Sequence, residues 1–199
     1  MNGYLVGLCG RAGSGKDEVA KIVAELRPDW IVLRDAFADR LKLSAARMFF
    51  PDIDLADAVD WADSFKHNGY VQAHEVLAEP CCEVVTGRQL LQRYGTEMHR
   101  DVFGQDFWLS AVLPNPALAF FGRPDAFDVL VVTDVRFDNE VERVRDCGGH
   151  VWLVDRPGAI QEDDHPSEVV PDHDLVVRNH GDLDHLRDEV RLALAGGFR

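Results

Sequence analysis

Eight residues near the start of the chain, Gly10-Arg-Ala-Gly-Ser-Gly-Lys-Asp17, restrict the fold more than any other stretch. They fit G-x-x-x-x-G-K and stand between an apolar run, Tyr4–Cys9, and a segment whose Val19, Ile22, Val23 and Leu26 recur at helical spacing. A buried strand that turns through glycines into an amphipathic helix is the opening unit of a parallel α/β sheet. Glycines let the backbone wrap an anion with successive N–H groups pointing inward, and the helix start adds its positive dipole end. Gly10, Arg11, Ala12, Gly13, Ser14 and Gly15 are therefore candidates for a phosphate cradle, and Lys16 for the cation that reaches the outer phosphates of a nucleotide. Asp17 stands where such loops usually carry a Ser or Thr hydroxyl for Mg2+. Two readings of its carboxylate stay open: metal binding, directly or through water, and capping of the helix.

The rest of the chain continues the alternation. Ile31–Leu33 reads as a short second strand, and Leu41, Ala45, Met48 and Phe49 as a helical face stopped by Pro51. Residues 51–80 read as irregular and acidic. Thr86-Gly-Arg-Gln89 has the form of a capping box and opens a helix bearing Leu90, Leu91, Tyr94 and Met98. Val129–Thr133 is the clearest buried strand; the helix after it carries Phe137, Val141 and Val144 and is closed by Gly148-Gly149. His150–Val154 and Asp174–Val177 are two further strands, and Leu183, Leu186, Val190 and Leu194 mark a last helix. Five strands with helical crossovers predict an α/β fold of the P-loop NTPase type, three layers (α/β/α) around a five-stranded parallel sheet.

Charge narrows the partners. Twenty-one basic against 35 acidic residues leave a net charge of −14, which repels polyanions; nucleic acid and anionic membranes are not expected as partners. A phosphate ligand must then be held by a local cationic pocket. No apolar run approaches the roughly 20 residues of a membrane span, and Met1-Asn-Gly-Tyr-Leu-Val-Gly7 lacks the basic start of a secretory signal. Cys9, Cys81, Cys82 and Cys147 form no C-x-x-C pair and suit reduced thiols, so a cytoplasmic protein is expected.

Asp134 follows the strand Val129–Thr133 at the edge where parallel sheets bind ligands, and Arg136 lies two residues beyond. A phosphate-loop enzyme needs an acid there for Mg2+ or its water shell; the plainer alternative is a strand-end turn. In Thr86–Arg100, the side chains of Arg88, Gln92 and Arg100 are expected on one helical side, facing a common cleft, whereas Arg93 and Glu97 suit a solvated pair. Trp108 is either a stacking surface for a base or a core residue. Asp101-Val-Phe-Gly104 and Asp146-Cys-Gly-Gly149 match D-x-x-G, but neither ends a buried strand and no N-K-x-D exists, which argues against a switch GTPase.

With these segments in view, the sequence resembles the bacteriophage-type deoxynucleoside monophosphate kinases, a branch of the P-loop nucleoside monophosphate kinases. The resemblance runs through Gly10–Asp17 with its G-K-D ending, Phe37-Ala-Asp-Arg-Leu-Lys42, Thr86-Gly-Arg-Gln-Leu-Leu-Gln-Arg-Tyr-Gly-Thr-Glu97 with Arg100 and Trp108, and Thr133-Asp-Val-Arg-Phe-Asp-Asn-Glu140. His165-Pro-Ser-Glu168, Asp174 and Asn179-His-Gly181 extend it over nearly the whole chain. It implies transfer of the ATP γ-phosphoryl group to a (deoxy)nucleoside monophosphate by a single P-loop domain with core 1–36, 128–155 and 172–199. A monophosphate-binding insertion at about 37–110 and a short lid at about 155–170 complete that expectation. The implied cofactors are ATP and Mg2+, the latter on Asp17 and Asp134. Lys16, Asp134, Arg136, Arg88 and Arg100 are the implied catalytic set. Lys42, Arg88, Gln92, Arg100, Trp108 and Arg136 are expected to bind the acceptor, Asn179 and Gly181 to line the adenine pocket, and Arg156 and His165 to belong to the lid; for His165 an ordinary surface loop is the equal alternative. The partner is a small nucleotide, with a homodimer left open and, for a phage-encoded chain, the host cytoplasm as the place of action. Two rival readings stand beside it: a P-loop kinase for another phosphorylated metabolite, and a nucleotide-binding module without catalysis.

Overall fold

Residues 4–68, 70–72, 84–113, 127–159 and 170–197 are described by the computed structural model. The chain divides into two units, Met1–Ala36 with Val112–Arg199, and Phe37–Ala111. It opens with strand β1 (Tyr4–Cys9), helix α1 (Lys16–Leu26) and strand β2 (Val32–Asp35). In the second unit follow α2 (Phe37–Arg47), α3 (Leu55–Asn68), the short strands β3 (Tyr70–Gln72) and β4 (Val84–Thr86), α4 (Gly87–Gly95), a π-helical turn (Thr96–Arg100), α5 (Asp101–Phe103) and α6 (Phe107–Val112). The first unit resumes with β5 (Val129–Val132), α7 (Asp138–Asp146), β6 (His150–Asp155), β7 (Leu175–Arg178) and α8 (Leu183–Gly197).

The main sheet is all parallel, in the order β2-β5-β1-β6-β7. Val6 pairs with Val131 on one side and His150 on the other, so β1 is central. Alternation along the strands sends Val6, Leu8, Val129, Val131, Trp152 and Val154 into one layer with Val19, Ile22 and Val23 of α1 and Leu186 and Val190 of α8. Full burial stabilises by about 1.5–3 kcal/mol per large aliphatic side chain, against about 0–1 kcal/mol for an exposed ion pair, so this layer dominates the unit's stability. On the opposite face, Gly7 lies under α7. A Cβ at Gly7 would sit 2.9 Å from Val135 Cγ2 and 3.2 Å from Val144 Cγ2, a distance only glycine permits. The parallel five-stranded α/β sheet read from the sequence is therefore the fold of this unit.

In the second unit, Ala45, Tyr94 and Trp108 form a small core with Leu41, Leu91 and Phe107 packed around it. Its polar ends are satisfied: Tyr94 Oη shares a 2.7 Å hydrogen bond with Ser44 Oγ, and Trp108 Nε1 donates to the Gly95 carbonyl at 3.1 Å. The capping box is present, with Thr86 Oγ1 accepting from Gln89 N and Gln89 Oε1 accepting from Thr86 N.

Three sequence expectations are corrected here. Residues 51–80 are not irregular throughout: α3 occupies Leu55–Asn68, started by Asp54 Oδ1, which accepts from Asp57 N at 2.9 Å. Its buried positions are Ala58 and Ala62, too small to mark an apolar stripe. The helix begun at Thr86 does not run evenly past Met98. It passes into the π turn at Thr96, and Met98 is exposed. The second strand lies later than Ile31–Leu33; its end at Asp35 is fixed by Thr133 N, which donates to the Asp35 carbonyl at 3.1 Å.

Candidate active site

In the first unit the sheet's connections diverge at β1 and β5: β1 leads through α1 toward β2, whereas β5 leads through α7 to β6 on the other side. The crevice beyond the carboxyl ends of two such strands is the ligand site of open α/β sheets. Two sequence candidates stand there. The loop Gly10–Gly15 leaves β1, and Asp134 follows β5, held level with the end of β1 because Val135 N donates to the Leu8 carbonyl at 3.1 Å.

The loop geometry follows from its glycines. Gly10 has φ +137°, and a Cβ there would lie 2.5 Å from the Val154 carbonyl oxygen; Gly15 has φ +100°, and a Cβ would lie 2.7 Å from Asn179 Nδ2. A side chain at either place would both strain the backbone and collide. Gly15 is the residue preceding α1 and supplies no side-chain cap, so Asp17 lies in the first turn rather than at the cap.

Lys16 folds over its own loop, donating to the carbonyls of Gly10 at 2.8 Å and Arg11 at 2.9 Å. Burial pulls its ammonium below the usual lysine range, and the nearby Arg136 guanidinium adds to this; Asp17, Asp134 and Cys9 act in the opposite sense. These influences put Arg136, Asp17 and Asp134 all within electrostatic reach of Lys16. Beneath the loop, burial pushes the Cys9 thiol up to about 12, only partly countered by Lys16, which leaves it un-ionised and inert.

One buried polar atom of the loop stands out. Ser14 is buried, and its hydroxyl has no hydrogen-bond partner among the described residues. Two side chains brace the loop from outside: Arg156 Nη1 donates to the Gly13 carbonyl at 3.2 Å, and Asn179 Nδ2 donates to the Ser14 carbonyl at 2.9 Å.

Sequence reading missed Arg34. From β2 its Nε and Nη2 both donate to Asp17 Oδ1, at 3.0 and 2.9 Å, leaving Oδ2 outside the pair. Nothing in a 17-residue separation signals that contact. Gly181 is exposed beyond β7, beside His180, whose Nε2 lies 2.8 Å from Asp155 Oδ2. His165 lies outside the described residues.

The remaining candidates belong to the second unit. Lys42 pairs with Asp63 at 3.0 Å and Asp39 at 3.6 Å. Arg88 and Gln92 lie one turn apart on α4, and Gln92 is exposed. Arg100 ends the π turn, which has a bearing on its direction. At 100° per residue, an unbroken α-helix would put Arg100 about 120° around the axis from Arg88. The wider turn over Thr96–Arg100 subtracts about 90°, which returns Arg100 to within about 30° of Arg88. Trp108 is 4% exposed and hydrogen-bonded inside the small core, so the core alternative describes it.

A parallel α/β sheet with a glycine-rich loop, a lysine and a strand-end acid at its switch point defines a P-loop-kinase-like protein. Comparison with known proteins places it more narrowly. Residues 33–190 match the family described as deoxynucleotide monophosphate kinase, and the chain belongs to that family. It is 28% identical over 242 residues to the deoxynucleoside-5'-monophosphate kinase of Escherichia phage T5, covering 94% of each chain. It is 26% identical over 205 residues to a protein of Acanthamoeba polyphaga mimivirus whose assignment as a deoxynucleotide monophosphate kinase is provisional, covering 94% of this chain and 93% of that one. To the deoxynucleotide monophosphate kinase of Escherichia phage RB69 it is 32% identical over 110 residues, 54% of this chain and 44% of the relative.

Proposed function

We propose that this protein is an enzyme that transfers the γ-phosphoryl group of ATP to a deoxynucleoside monophosphate, giving the diphosphate and ADP. Family membership supports the reaction class. The observation that carries the site assignment is the loop at the β1/β5 switch point, whose buried Ser14 hydroxyl has no hydrogen-bond partner among the described residues. The residues fit a polyphosphate. The backbone from Gly10 to Gly15 forms the cradle, and Lys16 exchanges its two loop carbonyls for phosphate oxygens. Asp134, with Asp17 Oδ2, would hold Mg2+, an ion that commonly takes one or two carboxylates and completes its shell with water and phosphate. When bound, that ion neutralises charge on the outer phosphates.

The acceptor makes small demands on the protein. A monophosphate with its second pKa at about 6 is largely dianionic at neutral pH, so its attacking oxygen needs no general base. The protein must instead align the two anions and offset their repulsion. Lys16 and Arg136 supply positive charge around the loop, and Arg156 bears on the same loop through Gly13. Arg88, Arg100, Gln92 and Lys42 are assigned to the acceptor within the second unit, on the strength of the shared Arg88–Arg100 phase. Asn179 and Gly181 border the adenine end. Free nucleotides are cytoplasmic pools, and the enzyme is assigned there.

The test is a coupled ADP-release assay with each of the deoxynucleoside and ribonucleoside monophosphates in turn. ADP formation that requires an added deoxynucleoside monophosphate is expected. Tight ATP binding with no turnover on any of them would leave a nucleotide-binding module instead.

A further inference from the structure

Asn179 stands at the first position after β7, and its own backbone N–H donates to the Asp155 carbonyl at 2.7 Å, continuing the β6–β7 ladder by one rung. Its side chain is thereby anchored to a rigid part of the sheet. From there Nδ2 donates to the Ser14 carbonyl at 2.9 Å and closes over Gly15 so tightly that a Cβ on Gly15 would sit 2.7 Å from it. The carbonyl of residue 14 and the N–H of residue 15 belong to one planar trans peptide and point in opposite directions. A side chain that fixes one therefore aims the other. With the Ser14 carbonyl turned toward Asn179, the Gly15 N–H is turned away from it, and it donates to no described group. The buried Ser14 hydroxyl is likewise without a partner among the described residues.

The other loop carbonyls are held differently. Gly10 and Arg11 bond to Lys16, and Gly13 bonds to Arg156, both cations with a use on phosphate. The amide of Asn179 is neutral and bears no charge that a phosphate would attract. We propose that Asn179 is a positioning residue of the phosphate loop: it holds the Ser14–Gly15 peptide in the orientation that presents the Gly15 N–H to the polyphosphate. Its side chain thus serves the phosphates rather than the base, although it lies at the adenine end. The inference rests on the phosphate-loop reading above.

Direct binding separates the possibilities. Inorganic tripolyphosphate and adenosine are titrated calorimetrically into the wild-type protein, Asn179→Ala and Asn179→Asp, alongside ligand-free melting and the KM values for ATP and for the acceptor. Loss of one neutral hydrogen bond corresponds to about 2- to 10-fold in an equilibrium constant. Asn179→Ala is therefore expected to weaken tripolyphosphate by about that factor and raise the KM for ATP in step, with adenosine affinity and acceptor KM unchanged and the ligand-free Tm lowered only by the few degrees that one hydrogen bond is worth. Asn179→Asp, which sets a carboxylate against the Ser14 carbonyl, is expected to lose more. Unchanged tripolyphosphate affinity in both variants overturns the proposal, as does a loss confined to adenosine, which would make Asn179 a base contact. A larger drop in ligand-free Tm with equal losses for both ligands also overturns it. A wild-type protein that binds neither tripolyphosphate nor ATP refutes the phosphate-loop reading itself.

Discussion

Replacing Gly10 by alanine puts one methyl group where the fold has no space for it. The added carbon would lie 2.5 Å from the Val154 carbonyl oxygen and 3.0 Å from Ser14 Oγ. Ordinary contacts of this kind lie at about 3.5 Å, so the two must separate by roughly 1 Å. Val154 cannot yield, because β6 is paired with β1 on one side and β7 on the other. The loop must move instead. The φ of +137° adds strain of about 1–3 kcal/mol for any residue with a side chain. In a chain of this size each kcal/mol lowers Tm by about 2–4 °C, so Gly10→Ala should melt about 2–12 °C below wild type. A displacement of about 1 Å at a phosphate site costs about 100-fold in turnover. Gly13→Ala is the control. It lies in the same loop with φ +73°, but a Cβ there meets no atom within 4 Å, so its ligand-free Tm should fall by the left-handed strain alone, about 2–8 °C, with no collision added. Differential scanning fluorimetry without nucleotide and the coupled assay give both numbers. Wild-type melting and turnover in Gly10→Ala would refute the reasoning, and so would a Gly13→Ala protein that melts as low.

Lys16→Met should reduce turnover by about 100- to 1000-fold, the usual cost of removing one preorganised charge donor, while ligand-free Tm stays level or rises. The sign follows from burial. A lysine held below its normal range penalises the folded state at neutral pH, and the penalty fades as pH rises from the folded value toward the unfolded one of about 10.4, so the variant's Tm advantage should shrink in alkali. A lowered Tm at pH 7 would contradict that account. Arg145 binds Asp172 and Asp174 at 2.9 and 2.7 Å, and Asp174 Oδ2 also accepts from Val151 N. Burial alone would raise the Asp174 carboxyl, but these contacts outweigh it and hold it below the usual range. The contribution is present above about pH 4, the unfolded carboxyl value, and is lost as pH falls through the lower folded one. Arg145→Met should therefore melt below wild type at pH 7 and converge with it in acid; a gap that persists at low pH would mean that Arg145 acts through packing.

The parts of the fold legible in the sequence were those in which one periodicity and one punctuation mark agreed. Gly10–Lys16 sat between a strand pattern and a helix pattern, and Val129–Val132 is buried at every position, which reads as an uninterrupted apolar run. Helix α3 was hidden because Ala58 and Ala62 carry its buried face, while Trp61 stacks on Phe65 at 4.9 Å beside them. The π turn was illegible for another reason: it changes the residues per turn, so a fixed helical period loses phase at Thr96. At the candidate site the sequence named the loop, Lys16 and Asp134. It could not name the grip of Arg34 on Asp17 or of Asn179 on Ser14, since each joins residues from separate elements and leaves no local pattern.

Lys16 at rest is already coordinated, by Gly10 and Arg11 of its own loop. Under the phosphate-loop assignment proposed above, capture of a nucleotide is then a ligand exchange at the ammonium rather than the filling of a bare charge. On that assignment any anion, large or small, must displace the two loop carbonyls from the ammonium before it can lodge. A triphosphate would do so by offering many oxygens at once, which on that assignment makes the lysine a filter for polyvalent guests as well as a handle for them.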